Sequence, residues 1–324
     1  MQNHNFLSIL QLIFAIVLLI PTTSIIKAQT QVNYFADYYP LTNQAELNYI
    51  DSDYEAALKH YQTAFEKQEP LRYDLVEAAK TAIKLDNKEL AISYLLKAFE
   101  KGTTLKFIKK QEDFAAFENH HWRTLKEAYP QRYQQFSSQV NYALKKEIAQ
   151  MEKVDQKYRK KIKRYQKHFK VQNKMDSLQA VRLMKIIEEH GWMGEQLIGI
   201  TSNQEKYKTA NPAYFIVLLH CHSSYRKDYF IPLLTQKAKE GLCSPRMAAL
   251  LMDQTELYSG KLQRYGTYGC KNEGVRMPCR LADEEKVNEL RASIGLESFE
   301  DYLKKNDMEY TWKPLEGKSE KPNK

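Results

Sequence analysis

Residues 53–67 read DYEAALKHYQTAFEK and residues 87–101 read NKELAISYLLKAFEK, a register of 34 residues. In that register Ala57, Tyr61, Ala64 and Phe65 fall on Ala91, Leu95, Ala98 and Phe99. Small, large and small residues at i, i+4 and i+7 share one face of a helix. Such a face admits a second helix at the alanines, while the bulky residue fills the groove between them. The segment before the second copy fits, with Leu75, Ala79 and Ala82 at inner positions. In the first copy Asn48 stands where a bulky residue is expected. The spacing therefore predicts paired antiparallel helices over residues 33–130. Composition agrees, because only 11 glycines and 10 prolines punctuate 324 residues. A turn-dense all-β fold needs punctuation every ~8–12 residues.

Period and pattern resemble the tetratricopeptide repeat. The resemblance implies helical hairpins stacked on one another. Such units need neighbours to bury both faces. A third, degenerate unit over 103–129 is expected to cap the stack, with Phe107, Phe114, Phe117, Trp122 and Leu125 on its buried side. His120 and His121 precede that tryptophan, and adjacent side chains point ~100° apart on a helix. A cap or surface role is expected of them rather than chemistry.

Residues 6–20 read FLSILQLIFAIVLLI, an uncharged run of 15, short of the ~20 residues that span a bilayer. Pro21, Thr22, Thr23 and Ser24 follow, then Lys27 and Ala28. This is the layout of a secretory signal peptide over residues 1–28, cut after Ala28. The n-region holds only His4, and Ile26 at −3 is larger than usual. With no cysteine at the cut, a lipoprotein is not expected. A periplasmic or secreted location is. There, Cys221, Cys243, Cys270 and Cys279 could pair. Cys270 and Cys279 bracket a polar loop and form the better pair, while Cys221 lies in an apolar run and suits a buried thiol equally well. No C-x-x-C spacing occurs, so no metal is expected. Neither is a cofactor: HExxH, G-x-S-x-G and phosphate-binding glycine loops are all missing from the sequence.

Residues 132–170 hold neither glycine nor proline, and Leu144, Ile148, Met151, Val154, Tyr158, Ile162, Tyr165 and Phe169 form a stripe at steps of three and four. The pattern predicts one long linking helix over 131–170. Charge is uneven along the chain: the net +9 gathers in the C-terminal half. Lys157, Arg159, Lys160, Lys161, Lys163, Arg164, Lys167 and Lys170 fall in one stretch without an acid. Such a stretch suits a solvated helix face, or contact with an anionic envelope surface. Export removes nucleic acid as an expected partner.

Residues 151–305 read as a helical domain. Helices are expected over 178–189, ending at His190, Gly191 and Trp192; over 213–222, opened by Asn211 and Pro212; over 228–239; and over 245–258, opened by Ser244 and Pro245. An irregular stretch over 261–279 with a short β-hairpin comes next, then helices over 283–293 and 299–305, and a polar tail over 313–324. The fold class is thus mainly α. Asp155, Gln156 and Arg159, then Glu189, His190, Gly191 and Trp192, then His220, Asp253, and Gln263 to Thr267 through Tyr265 and Gly266 occur in this order, closed by Leu290, Arg291, Gly295 and Leu296. As an ordered set they resemble a bacterial family of unknown function, over roughly half the chain. The resemblance implies a mostly helical domain and no assigned activity.

Two functions follow as expectations. The first is a helical interaction protein that binds a protein partner through its hairpins. The second is a hydrolase-like enzyme with His190, His220, Asp253, Tyr265 and Thr267 around one pocket, in which an Asp253 contact would orient His220 as a general base. Asp155, Arg159, Trp192, Gln263 and Gly266 are the candidate binding residues. For Asp155 and Arg159, one turn apart, a salt bridge competes with ligand binding. For His190 a helix cap competes, for Trp192 a packing role, and for His220 a satisfied core position.

Overall fold

Asp53 and Asn87, at equivalent positions of the two repeats, each accept a hydrogen bond from a backbone N–H three residues on, Ala56 and Leu90, at 3.1 Å. These caps satisfy donors that a helix start leaves orphaned. The structure is a computed structural model that describes residues 32–162, 169–206, 208 and 210–312. It is mainly α. After α1 (Tyr34–Asp37), two antiparallel hairpins follow: α2 (Tyr39–Ile50) with α3 (Tyr54–Lys67), and α4 (Arg72–Lys84) with α5 (Lys88–Glu100). The repeat positions Ala57, Tyr61, Ala64, Ala91, Leu95 and Ala98 are all buried.

The capping unit is α6 (Leu105–Ile108), a 3₁₀ turn (Glu112–Ala116) and α7 (Asn119–Ser137). Phe114, Phe117 and Leu125 are buried there, with Phe107 and Trp122 partly so. His121 is a cap: its Nδ1 accepts the Glu118 N–H at 3.0 Å.

The linking helix is not continuous. Helix α7 stops at Ser137 and α8 (Tyr142–Ile162) begins after a four-residue break. Asn141 makes the break. Its N–H donates to the Leu197 carbonyl at 2.7 Å, and its Oδ1 accepts the Leu144 N–H at 3.0 Å. A local cap and a tertiary bond thus outweigh uninterrupted periodicity. Leu144, Ile148 and Met151 are buried as the stripe predicts, but Phe169 is exposed. Residues 163–168, the signal peptide over 1–28 and the tail over 313–324 lie outside the described residues.

Helix α8 pairs with α9 (Phe169–His190), and α12 (Ala213–Leu218) packs on both, after the short α10 (Glu195–Ile198) and α11 (Ser202–Lys206). The core joins Leu144, Ile148, Ala180, Leu183 and Ile186 to Phe215, Leu218, Phe230, Leu234 and Leu251. Beyond α13 (Ser223–Tyr225) the chain forms a π-helical turn (Arg226–Phe230), α14 (Ile231–Lys239) and α15 (Pro245–Tyr258). Strands β1 (Gly269–Asn272) and β2 (Val275–Pro278) form the expected hairpin, with Cys270 opposite Met277 and Lys271 opposite Arg276. Helices α16 (Val287–Ser293) and α17 (Phe299–Lys305) close the fold.

Cys270 and Cys279 form a disulfide, while Cys221 is buried as a free thiol and Cys243 is also free. Reducing the bridge should cost about 2.5 kcal/mol by the chain-entropy relation for so short a loop. A lower urea midpoint in dithiothreitol, absent in a Cys270→Ser/Cys279→Ser variant, checks this.

The repeat helices and the C-terminal helices belong to one compact unit. The Tyr39 hydroxyl lies 3.2 Å from the carbonyls of both Ala238 and Cys243. Arg72 donates to both Glu195 oxygens, at 3.0 and 2.9 Å, and to the Gln204 carbonyl at 3.0 Å. Gly241, at φ 76°, lies under Tyr34; a Cβ there would stand 2.5 Å from the ring. No helix among the described residues is long and apolar enough to cross a membrane.

Candidate functional site

Helix α12 ends at Leu218, four residues earlier than the sequence pattern suggests. The His220 N–H bonds back to the Val217 carbonyl at 3.1 Å, and His222 becomes the N-cap of α13, accepting the Ser224 N–H. This break frees His220 from the helix and turns it toward α8. Its Nδ1 lies 2.8 Å from Asp155 Oδ2. Asp155 is completely buried, and His220 keeps 23% of its side chain exposed.

Asp155 is held on three sides. Gln156 Nε2 donates to Oδ2 at 2.9 Å and Arg159 Nε donates to Oδ1 at 3.1 Å. The same guanidinium reaches α9, where Nη2 meets both Asp176 oxygens at 2.7 and 2.8 Å. Gln172, one turn earlier on α9, donates to Asp176 Oδ1 at 2.5 Å. Burial pushes the Asp176 carboxyl above its usual range, opposed by Gln172 and Arg159. The result is two buried carboxylates, one shared guanidinium and one oriented imidazole. Among the described residues His220 Nε2 has no partner. A carboxylate can only accept, so Nδ1 carries a proton, and in the neutral ring the lone pair falls on Nε2.

Beside this network, Cys221 is buried, and burial raises its thiol to about 12. Arg226 is buried on the π-helical turn, with Nη1 on Gln254 Oε1 at 2.9 Å. Single π-helical turns recur at functional sites.

The other expected residues form a separate structure. Asp253, fully buried on α15, does not orient His220. Its Oδ1 accepts the N–H groups of Arg264 and Tyr265 at 2.8 and 2.9 Å. Its Oδ2 accepts the N–H and hydroxyl of Thr267 at 2.9 and 2.7 Å. Burial raises its carboxyl, and these four donors oppose the rise. Gln263 is buried too; its Nε2 donates to the Cys279 carbonyl and its Oε1 accepts the Tyr268 N–H at 3.0 Å. Gly266 has φ 73°, and a Cβ there would stand 2.4 Å from the Phe299 ring. Arg291 Nη1 donates to the Tyr265 carbonyl at 2.5 Å. Residues 263–267 are thus a loop bonded from both sides, and Tyr265 packs in its apolar cluster.

His190 ends α9 beside Glu189, with its side chain well exposed. Trp192 donates to the Leu242 carbonyl at 3.2 Å and meets Tyr214 edge-on, which is a packing role. The five residues expected around one pocket therefore divide: His220 joins Asp155, Asp253 binds the loop that holds Tyr265 and Thr267, and His190 stands exposed at the end of a helix. Asp155 and Arg159 bind each other, so Arg159 leaves the basic patch; Lys157 and Lys170 remain exposed. No group of three or more His, Cys, Asp or Glu among the described residues is placed to hold a metal.

Asp176, Gln172 and Arg226 were not singled out by sequence reasoning. The signal was present on α9: Gln172, Asp176 and Gln179 continue the buried stripe of Leu183 and Ile186 at steps of three and four. Polar residues at core positions need polar partners.

Comparison with protein-family models, with curated proteins and with solved structures finds no match for this chain.

Proposed function

We propose that this chain is an exported hydrolase-like protein whose C-terminal half performs general acid–base chemistry at His220. One observation carries the reading. His220 Nδ1 lies 2.8 Å from a fully buried carboxylate that two further donors, Arg159 and Gln156, keep from rotating away. Asp155 fixes the tautomer and aims the ring. Nε2 then takes a proton from water or a substrate hydroxyl and returns it to the leaving group. Arg159 and Asp176 act one step back, by positioning Asp155. The Cys270–Cys279 bridge supports export, since such bonds persist in oxidising compartments.

The test is turnover of p-nitrophenyl esters, phosphates and glycosides by the purified chain. His220→Gln should lower the rate about 10²-fold, the lower end for loss of a general base, with unchanged circular dichroism. Asp155→Asn should do likewise. A rate indifferent to both substitutions removes the proposal.

A second reading rests on the repeat. The 34-residue period and the buried small–large–small positions support tetratricopeptide-like hairpins, a family that presents helices to protein partners. Side chains of α2 and α4, Tyr39 and Arg72 among them, engage the chain's own C-terminal half. A protein partner would then use the solvent face of α3 and α5, where Glu66, Lys67 and Lys97 are exposed. Charge reversal at these three positions should abolish its capture.

A further inference from the structure

A cavity of 890 Å3 separates α2 and α4 from the C-terminal helices. Ligand sites commonly enclose ~300–1,000 Å3 and lie between packed substructures. Neither His220 nor Asp155 lines it.

Its wall is unusually rich in charge, and the charges pair off almost completely. Arg72 meets Glu195 at 2.9 Å, Lys101 meets Glu69 at 2.8 Å, and Lys237 meets Glu240 at 2.7 Å. Lys208 lies against Asp74 at 3.0 Å and against Glu46. Lys305 contacts Glu46 too, and meets Glu297 at 3.5 Å; Arg291 reaches Glu297 at 3.7 Å. Glu46 between two lysines titrates at about 2, despite a burial that works the other way.

Arg246 is the exception. It lines the same cavity from the first turn of α15. Among the described residues no carboxylate lies within 4.0 Å of its guanidinium, and its Nε is buried without a hydrogen-bond partner. The positive charge of Arg246 instead acts against that of buried Arg291, which lines the same cavity. Glu297 cannot serve it, because Arg291 and Lys305 already share that carboxylate. A half-buried guanidinium facing open volume, beside a like charge, is a receptor for an oxyanion. Trp192, Met247 and Leu296 contribute apolar surface to the same wall, enough for an organic body behind the charged head.

We propose that this cavity binds an organic oxyanion, carboxylate or phosphate monoester, through Arg246. The site is independent of the His220 chemistry.

Calorimetric titration of the purified chain tests it. The probes are aliphatic and aromatic carboxylates and phosphate monoesters, with acetate and inorganic phosphate as bare ions. At least one organic probe should bind saturably, and its affinity should fall about 10- to 100-fold in Arg246→Gln, the loss expected for a charge-assisted pair. Arg246→Lys should lie between the two, because it keeps the charge without the fork. Without ligand, Arg246→Gln should melt at or above the wild-type temperature, since it removes repulsion and breaks no bond. Preference among the probes separates a carboxylate head from a phosphate head. Saturation by no organic probe, by bare ions only, or equally by Arg246→Gln overturns the proposal. So does a large fall in melting temperature of ligand-free Arg246→Gln, which would make the arginine a structural part.

Discussion

Asp253→Ala is expected to destabilise the protein by about 4–6 kcal/mol. The carboxylate accepts three backbone N–H groups and one hydroxyl, all from residues 264–267. Each buried donor left unsatisfied costs ~1–3 kcal/mol, and Asp253 itself is wholly buried, so water does not replace it easily. Against a typical total of ~5–15 kcal/mol, the loss is a large fraction. A graded series checks the mechanism. Asp253→Asn keeps an acceptor for Arg264 and Tyr265 but turns an amide N–H₂ toward Thr267, so about half the loss should remain. Thr267→Val removes one hydroxyl donor and should cost about 1 kcal/mol. Urea unfolding gives the order, and limited proteolysis should cut first within 261–268 in Asp253→Ala. A loss below 1 kcal/mol for Asp253→Ala would show that the loop is held by Gln263 and Arg291 alone.

The repeat half was legible because its information is local. Alanines at fixed spacing and Asp53 and Asn87 at the helix starts all act within one or two turns. The β-hairpin and its disulfide were legible for the same reason, through a polar loop between two cysteines. The linking helix was misjudged where a long-range bond intervened: nothing near Asn141 in sequence announces the Leu197 carbonyl. The candidate site shows the same division. Asp155 and Arg159 are one turn apart and were paired from spacing alone. His220 was recognised as an unusual polar residue in an apolar run, but its partner was misassigned. Asp155 and Asp253 lie 65 and 33 residues away from it, and no periodicity ranks two such distances. The deciding event was the early end of α12 at Leu218, set by backbone bonds at Val217 and Leu218 rather than by any side-chain pattern. Arg246 carried no signal at all. An arginine at the start of a helix reads as a surface residue until the repeat half is seen to close a cavity over it.

Arg159→Met should cost about 3–5 kcal/mol at pH 8, because it leaves buried carboxylates without their shared counterion. Asp155 and Asp176 sit on different helices and meet only through this guanidinium, at 3.1 and 2.7 Å. The charge of Asp155 already adds to the burial that raises Asp176. Removing the arginine raises the native carboxyl further, while the unfolded value stays near ~3.9. The native state then binds more protons than the unfolded state between those two values, so stability falls as pH rises through that window. The deficit of Arg159→Met relative to wild type should therefore shrink by at least about 1 kcal/mol between pH 8 and pH 5. Asp155→Asn in the same background should recover part of the loss, a non-additivity expected of groups in one network. Arg159→Lys separates charge from geometry: a single ammonium serves one carboxylate well and not both, so its loss should fall between wild type and Arg159→Met. A deficit equal at pH 5 and pH 8, with strict additivity to Asp155→Asn, would mean that Arg159 contributes packing along α8 and that Asp155 is fixed for His220 by Gln156 alone.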